Sequence, residues 1–200
     1  FAPPCLFAAY MGGFWLLAMI IILMSLAIWE WWKLCRHLKT DAEHTIFLGG
    51  LLYMGLSAYA FYTLGKPEWD HAAFAILVIV IGSDVGAYFA GTKFGGPKMF
   101  PSISPNKTWA GLGGAMAGGA FIAFLCWLLG IHIHHIGFVP VAGIVVGLAG
   151  QAGDLLESWA KRLAGIKDTG GFLPGHGGIL DRIDSLVMAV PVFMILSGFS

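Results

Sequence analysis

The chain has 200 residues, 58% hydrophobic and only 11% charged, with eleven Lys and Arg balanced by eleven Asp and Glu. Soluble domains carry about 25% charged residues, so there is too little polar material here for a water-facing shell, and the cancelled charge argues against a basic nucleic-acid-binding surface. Three cysteines (Cys5, Cys35 and Cys126) form no CxxC pair and cannot all be paired within one chain, which excludes a disulfide scaffold.

The first thirteen residues, Phe1 to Gly13, begin without Met and without a basic stretch ahead of the first apolar run. They read as the end of an upstream membrane segment at a truncated or processed terminus, not as a signal peptide. Six apolar stretches follow, roughly Phe14–Trp32, Thr45–Leu64, Ala72–Ala90, Trp109–Ile131, Gly137–Gly153 and Ile183–Phe199. Crossing a bilayer as a helix takes about 20 apolar residues, and the alternating pattern of a membrane barrel is absent. The expectation is an all-α, polytopic membrane protein with about six transmembrane helices, forming one domain over residues 1–200. Gly82/Gly86, Gly114/Gly118 and Gly143/Gly147 place small residues one turn apart, a spacing that lets helix backbones approach. A homodimer through such helices is the oligomer this pattern allows.

Basic residues fall on one side. Lys33, Arg36 and Lys39 follow the first stretch, Lys93, Lys98 and Lys107 the third, and Lys161, Arg162, Lys167 and Arg182 lie between the fifth and sixth. Lys66 alone lies opposite. The positive-inside rule makes those three loops cytoplasmic. Trp29, Trp31, Trp32 and Trp69 sit at predicted helix ends, as interfacial anchors do.

The acidic residues are also concentrated. Asp84 lies inside the third stretch, where an ionised carboxylate is costly unless paired or facing a wet cavity. Asp154 and Glu157, followed by Ser158 and Lys161, share one face of a helix by their spacing, and Asp181 and Asp184, followed by Ser185, repeat the pattern. Carboxylate oxygens suit a hard cation such as Mg²⁺, which is typically held by one or two carboxylates plus substrate phosphates. Between the two acidic pairs runs KRLAGIKDTGGFLPGHGGI, whose glycines allow close approach of backbone N–H groups to an anion. Lys161, Arg162, Lys167 and Arg182 can neutralise phosphate charge. A second glycine-rich basic run, GTKFGGPKMFPSISPNKT, follows the third stretch on the same side. Together these features point to phosphoryl or nucleotidyl transfer to a lipid acceptor.

Each feature also has a purely structural use. Intramembrane acid–base pairs bridge helices, glycine loops turn tightly, and basic residues at helix ends snorkel. Convergence on one face within about thirty residues favours the chemical use. His132, His134 and His135 form a cluster in a loop on the opposite side with no carboxylate near, and are set aside as a metal site. No Walker A, HExxH or GxSxG sequence occurs.

The segment from Ser158 to Asp184, reading S-x-x-K-R-x(4)-K-D…P-G-H-G-G-x-x-D-R-x-D, resembles the signature of the phosphatidate cytidylyltransferases, or CDP-diacylglycerol synthases. SDVGAYFAGTKFG, ISPNKTWAG and GQAGDLLES are similar to other segments of that family, so the resemblance covers about Ile81 to the C-terminus. Where members often carry an acidic or amide residue after Thr-Trp, this chain has Ala110. The resemblance implies transfer of CMP from CTP to phosphatidate, with release of diphosphate, for phospholipid biosynthesis. It implies metal binding by Asp154, Asp181 and Asp184, with Mg²⁺ as cofactor and a second cation as the alternative stoichiometry. Lys167, Asp168 and His176 join those aspartates as catalytic positions. Asp84, Ser104, Lys107, Glu157, Ser158, Lys161, Arg162, Gly177, Gly178 and Arg182 are the substrate-binding positions it implies. The expected partners are CTP, phosphatidate and the bilayer, and the expected location is a bacterial inner membrane with the site facing the cytoplasm. Two other readings stand beside it: a CTP-dependent polyprenol- or phytol-type lipid kinase, and an ion-coupled transporter whose intramembrane carboxylates serve as cation sites.

Overall fold

The structure is a computed structural model that describes residues 2–38, 43–69, 71–131, 139–166, 169 and 178–198. Among them are seven helices: α1 (Ala2–Met11), α2 (Gly13–Cys35), α3 (Glu43–Leu64), α4 (Ala72–Phe94), α5 (Trp109–Leu128), α6 (Val139–Leu163) and α7 (Leu180–Leu196). Helices α2 to α6 are long and apolar enough to cross a membrane. Helix α7 has 17 residues, about 25 Å at the usual rise, and carries Asp181 and Asp184 in its first turns. The polytopic helical class expected from composition is the one observed.

The expected boundaries shift where polar residues continue a helix. Helix α6 runs ten residues past Gly153, to Leu163, because the charges that lower hydropathy there find partners within α6 and on neighbouring elements instead of ending the helix. Helix α4 likewise continues to Phe94, while α5 stops at Leu128. The run between α4 and α5 holds a feature that helical periodicity does not announce, an antiparallel hairpin of β1 (Lys98–Phe100) and β2 (Ser104–Thr108). Thr108 ends the hairpin and begins α5, its hydroxyl accepting a hydrogen bond from the Gly111 amide at 3.0 Å. That is an N-cap, which satisfies a donor the first helical turn leaves unpaired.

Helix α4 buries its first half, with Ala73, Ala75, Ile76 and Ile79 fully buried. It packs on α5 and α5 on α6 with almost no side chain between them. A Cβ on Gly86 or Gly114 would collide with the facing carbonyl oxygen of the other, and the same holds for Gly118 against Gly82 and for Gly119 against Gly143. Gly147 sits against the Ala115 carbonyl. The small-residue pairs seen in the sequence are thus used to pack this chain's own helices. Large apolar side chains face outward instead, as on Phe14, Leu52 and Leu129, each about three-quarters exposed, the inverse of a water-soluble surface and the arrangement that lipid favours.

Candidate active site

The site is built where α6 and α7 meet. On α6, Asp154, Glu157, Ser158 and Lys161 fall at i, i+3, i+4 and i+7, so they form one stripe. On α7, Asp181, Asp184 and Ser185 do the same. Gly153 brings the two stripes together, because a Cβ there would stand 2.5 Å from the Asp184 carbonyl oxygen.

These stripes, with α4 and β2, enclose a polar cavity of about 460 Å³. Its charged walls are Asp84 from α4, Lys107 from β2, Asp154 and Lys161 from α6, and Asp181, Arg182 and Asp184 from α7. Lys107 spans the gap between hairpin and helix: its ammonium lies 2.9 Å from Asp154 Oδ2 and donates to the Gln151 carbonyl at 3.1 Å. Ser158 donates to the other Asp154 oxygen at 3.3 Å. Deeper in, Lys161 donates to Asp181 Oδ1 at 2.5 Å and lies 3.2 Å from Glu157 Oε1. The Ser185 amide donates to Asp184 Oδ1 at 2.7 Å.

Asp181 opens α7, ahead of its apolar stretch, and both of its oxygens are engaged. Oδ2 accepts from the Thr169 hydroxyl at 3.1 Å and from the Gly178 amide at 2.9 Å, while Oδ1 faces Lys161. Burial works to raise the Asp181 carboxyl, but its contacts with Glu157, Lys161 and the Gly178 N–H prevail and hold it below the usual carboxylate range.

A second cavity, apolar and of about 200 Å³, lies on the other side of α7, between α2, α3 and α6. Trp31, Tyr53, Leu156 and Val187 line it, and Asp184 and Glu157 form part of its wall. Asp184 therefore faces both a polar and an apolar space.

Of the residues the sequence singled out, the polar cavity gathers Asp84, Lys107, Asp154, Lys161, Asp181, Arg182 and Asp184. Glu157 stands behind Lys161, on the apolar side, and Ser158 acts on Asp154. Gly178 directs its amide to Asp181, so that N–H is not aimed at an open anion site. Arg162 and Ser104 lie off the cavity lining. The Arg162 Nε donates to the Ile103 carbonyl at 3.2 Å, tying the hairpin to the end of α6, and Ser104 pairs with Phe100 at the far end of the hairpin. Lys161, next to Arg162 on α6, and Lys107, three residues on from Ser104 in β2, take the inward positions, because adjacent helical residues and strand residues an odd number apart lie on different faces. Lys167, Asp168, His176 and Gly177 lie outside the described residues, as does the His132, His134 and His135 cluster. Sequence reasoning missed Gln151, Asn106, Thr108 and Tyr88 as lining residues. Asn106 and Thr108 flank Lys107 in the ISPNKTWAG segment, and that adjacency was the available signal.

Among the described residues, no three His, Cys, Asp or Glu side chains form a ready-made metal group. Asp84, Asp154 and Asp184 nevertheless offer hard oxygen donors to one cavity. This donor set fits a Mg²⁺ that completes its coordination with phosphate oxygens and water rather than with protein alone.

Residues 51–199 match the model of the cytidylyltransferase family. The chain is 44% identical over 156 residues to a phosphatidate cytidylyltransferase of Brucella suis, an alignment covering 74% of this chain and 56% of that relative. It is 39% identical over 192 residues to one of Pseudomonas aeruginosa, covering 90% of this chain and 69% of the relative. A Staphylococcus epidermidis phosphatidate cytidylyltransferase is 34% identical over 177 residues, covering 88% and 67%. The chain thus spans a little over half the length of the Brucella relative and about two-thirds of the other two. Signature residues on α6 and α7, the hairpin lysine and the family match agree: this chain belongs to the cytidylyltransferase family.

Proposed function

We propose that the chain transfers the cytidylyl group of CTP to phosphatidate, giving CDP-diacylglycerol and diphosphate. The observation that carries this reading is the pair of adjoining cavities: a polar one with Lys107, Lys161 and Arg182 among carboxylates, and an apolar one that meets it at Asp184. A reaction between a polyanionic nucleotide and a lipid phosphate needs such a boundary.

A phosphatidate phosphate oxygen is already nucleophilic near neutral pH, so no strong general base is required. It attacks the α-phosphorus of CTP in line; the new P–O bond forms as the bond to the bridging oxygen breaks, and diphosphate leaves with that electron pair. Lys107, Lys161 and Arg182 orient the phosphates and offset charge as it moves to the leaving group. The acyl chains lie toward Trp31, Leu156 and Val187. Asp154, Asp181 and Asp184 are the residues that would hold Mg²⁺ in this reading, Asp184 foremost, since both oxygens of Asp154 and of Asp181 already have protein donors. When bound, the ion supplies charge neutralisation and polarises phosphoryl oxygens. Catalytic roles for Lys167, Asp168 and His176, and phosphate binding by Gly177, belong to the same proposal through the signature they share.

The basic residues around α6, α7 and the hairpin support a cytoplasmic site in a bacterial inner membrane. Mass spectrometry of lipids after incubation of the purified chain with CTP, phosphatidate and Mg²⁺ tests the reading. CDP-diacylglycerol is the expected product; a phosphatidate pool left unchanged by the chain contradicts it.

A further inference from the structure

Glu30 is a carboxylate in the last two turns of an apolar helix, 3% exposed. Such a group is costly in a membrane protein unless it is satisfied, and this one is satisfied from far along the chain. Its Oε1 accepts from the Ile179 amide at 3.0 Å, and its Oε2 accepts from the Leu180 amide at 2.8 Å and the Thr169 hydroxyl at 3.3 Å. Two of these donors sit at the start of α7, where a negative charge also meets the positive end of the helix dipole. The third, Thr169, lies across residues 170–177 from them, and its single hydroxyl proton is shared between Glu30 and Asp181.

A steric observation points to the same arrangement independently. A Cβ on Gly178 would collide with Thr169 Oγ1 and crowd the Glu30 carboxylate. The last glycine of the PGHGG run is therefore explained by the space Glu30 and Thr169 occupy, not by a turn or an anion.

We infer that Glu30 is a positioning residue for the site. It binds residues on both sides of 170–177 in the signature segment, Thr169 before and Ile179–Leu180 after, and so sets the place of Asp181 and Arg182 in the cavity. Glu30 lies outside the residues matched by the family model and outside the segments whose motifs resemble the family. It acts through Thr169 and the α7 amides and touches no substrate. The effect on turnover rests on the cytidylyl-transfer reading; the effect on local structure does not.

The test is Glu30→Gln in the full chain in detergent, read by amide hydrogen exchange and by kinetics. A neutral amide keeps one acceptor but turns a donor toward a donor and removes the charge. Exchange at Ile179 and Leu180 should rise about tenfold or more, while α4 and α5 keep their protection. Turnover per folded molecule should fall about tenfold, and KM for CTP should rise several-fold as Arg182 loses its place. A lower folded fraction alone would leave KM unchanged. Glu30→Asp, which keeps the charge, should recover part of both effects. Thr169→Val removes one donor of three and should move exchange the same way by less, which keeps the test readable if Glu30→Gln does not fold. Unchanged exchange at Ile179 and Leu180 in the folded variants overturns the clamp. Raised exchange with kcat and KM both unchanged overturns its role in positioning. A wild-type chain with no turnover counts against cytidylyl transfer, while the exchange data still decide the clamp.

Discussion

Toward α5, helix α6 packs through Gly143 and Gly147, with backbone against backbone; toward β2 and α7 it presents Asp154, Glu157, Ser158 and Lys161. One helix thus has two seams of opposite chemistry. The first holds by the absence of side chains: close approach gains many small dispersion contacts, and any added carbon must push two helices apart. The second holds by pairing charges that would be costly alone. The glycine seam fixes α6 against α5, and the charged seam lines the polar cavity.

Four substitutions sharpen that contrast. The largest effect is expected from Gly143→Leu, whose side chain would collide with the Gly119 carbonyl and the Ala120 backbone of α5. With no flexible neighbour to give way, the cost should exceed the usual range of about 1–3 kcal/mol for overpacking. The expected outcome is loss of the monodisperse peak in detergent size-exclusion chromatography; an intact peak and an unchanged melting temperature would mean the seam is looser than described. Next comes Asp184→Asn in the charged seam. It should lower turnover about a hundredfold or more, yet leave the melting temperature unchanged or slightly higher, because it removes one of four carboxylates facing one cavity. Lys107→Met should lower turnover by about tenfold or more and raise KM for CTP, since it removes the cation that bridges Asp154 and the hairpin. Smallest is Arg162→Ala. It should cost a few-fold in turnover with little change in KM, because Arg162 holds the hairpin through the Ile103 carbonyl and does not line the cavity. A large KM change there would return Arg162 to direct phosphate binding.

Much of this was legible in the sequence, for reasons that differ between the two seams. The glycine pairs are local and periodic, so Gly82/Gly86 and Gly114/Gly118 could be read directly. The acidic stripes were equally plain, because i, i+3 spacing on a helix needs no tertiary knowledge. Hydropathy ended α6 at Gly153 because it scores Asp154 and Glu157 as unpaired, whereas Lys107 and Lys161 pair with them from β2 and from the next turn. The hairpin was hidden by its short strands and by Pro101 and Pro105 within a run that reads as loop. Glu30 could not be read at all: its partners lie more than 130 residues away, and a lone Glu among Trp29, Trp31 and Trp32 carries no motif.

The most direct test of the central claim follows the phosphorus atoms of CTP. Purified chain in detergent, with phosphatidate and Mg²⁺, is given CTP labelled at the α-phosphorus in one tube and at the γ-phosphorus in another. Cytidylyl transfer in the cavity between α6 and α7 predicts α-label in the lipid and γ-label in diphosphate, with Asp184→Asn losing both. Label from the γ-position in the lipid, with α-label left in CDP, would contradict it and make the chain a lipid kinase.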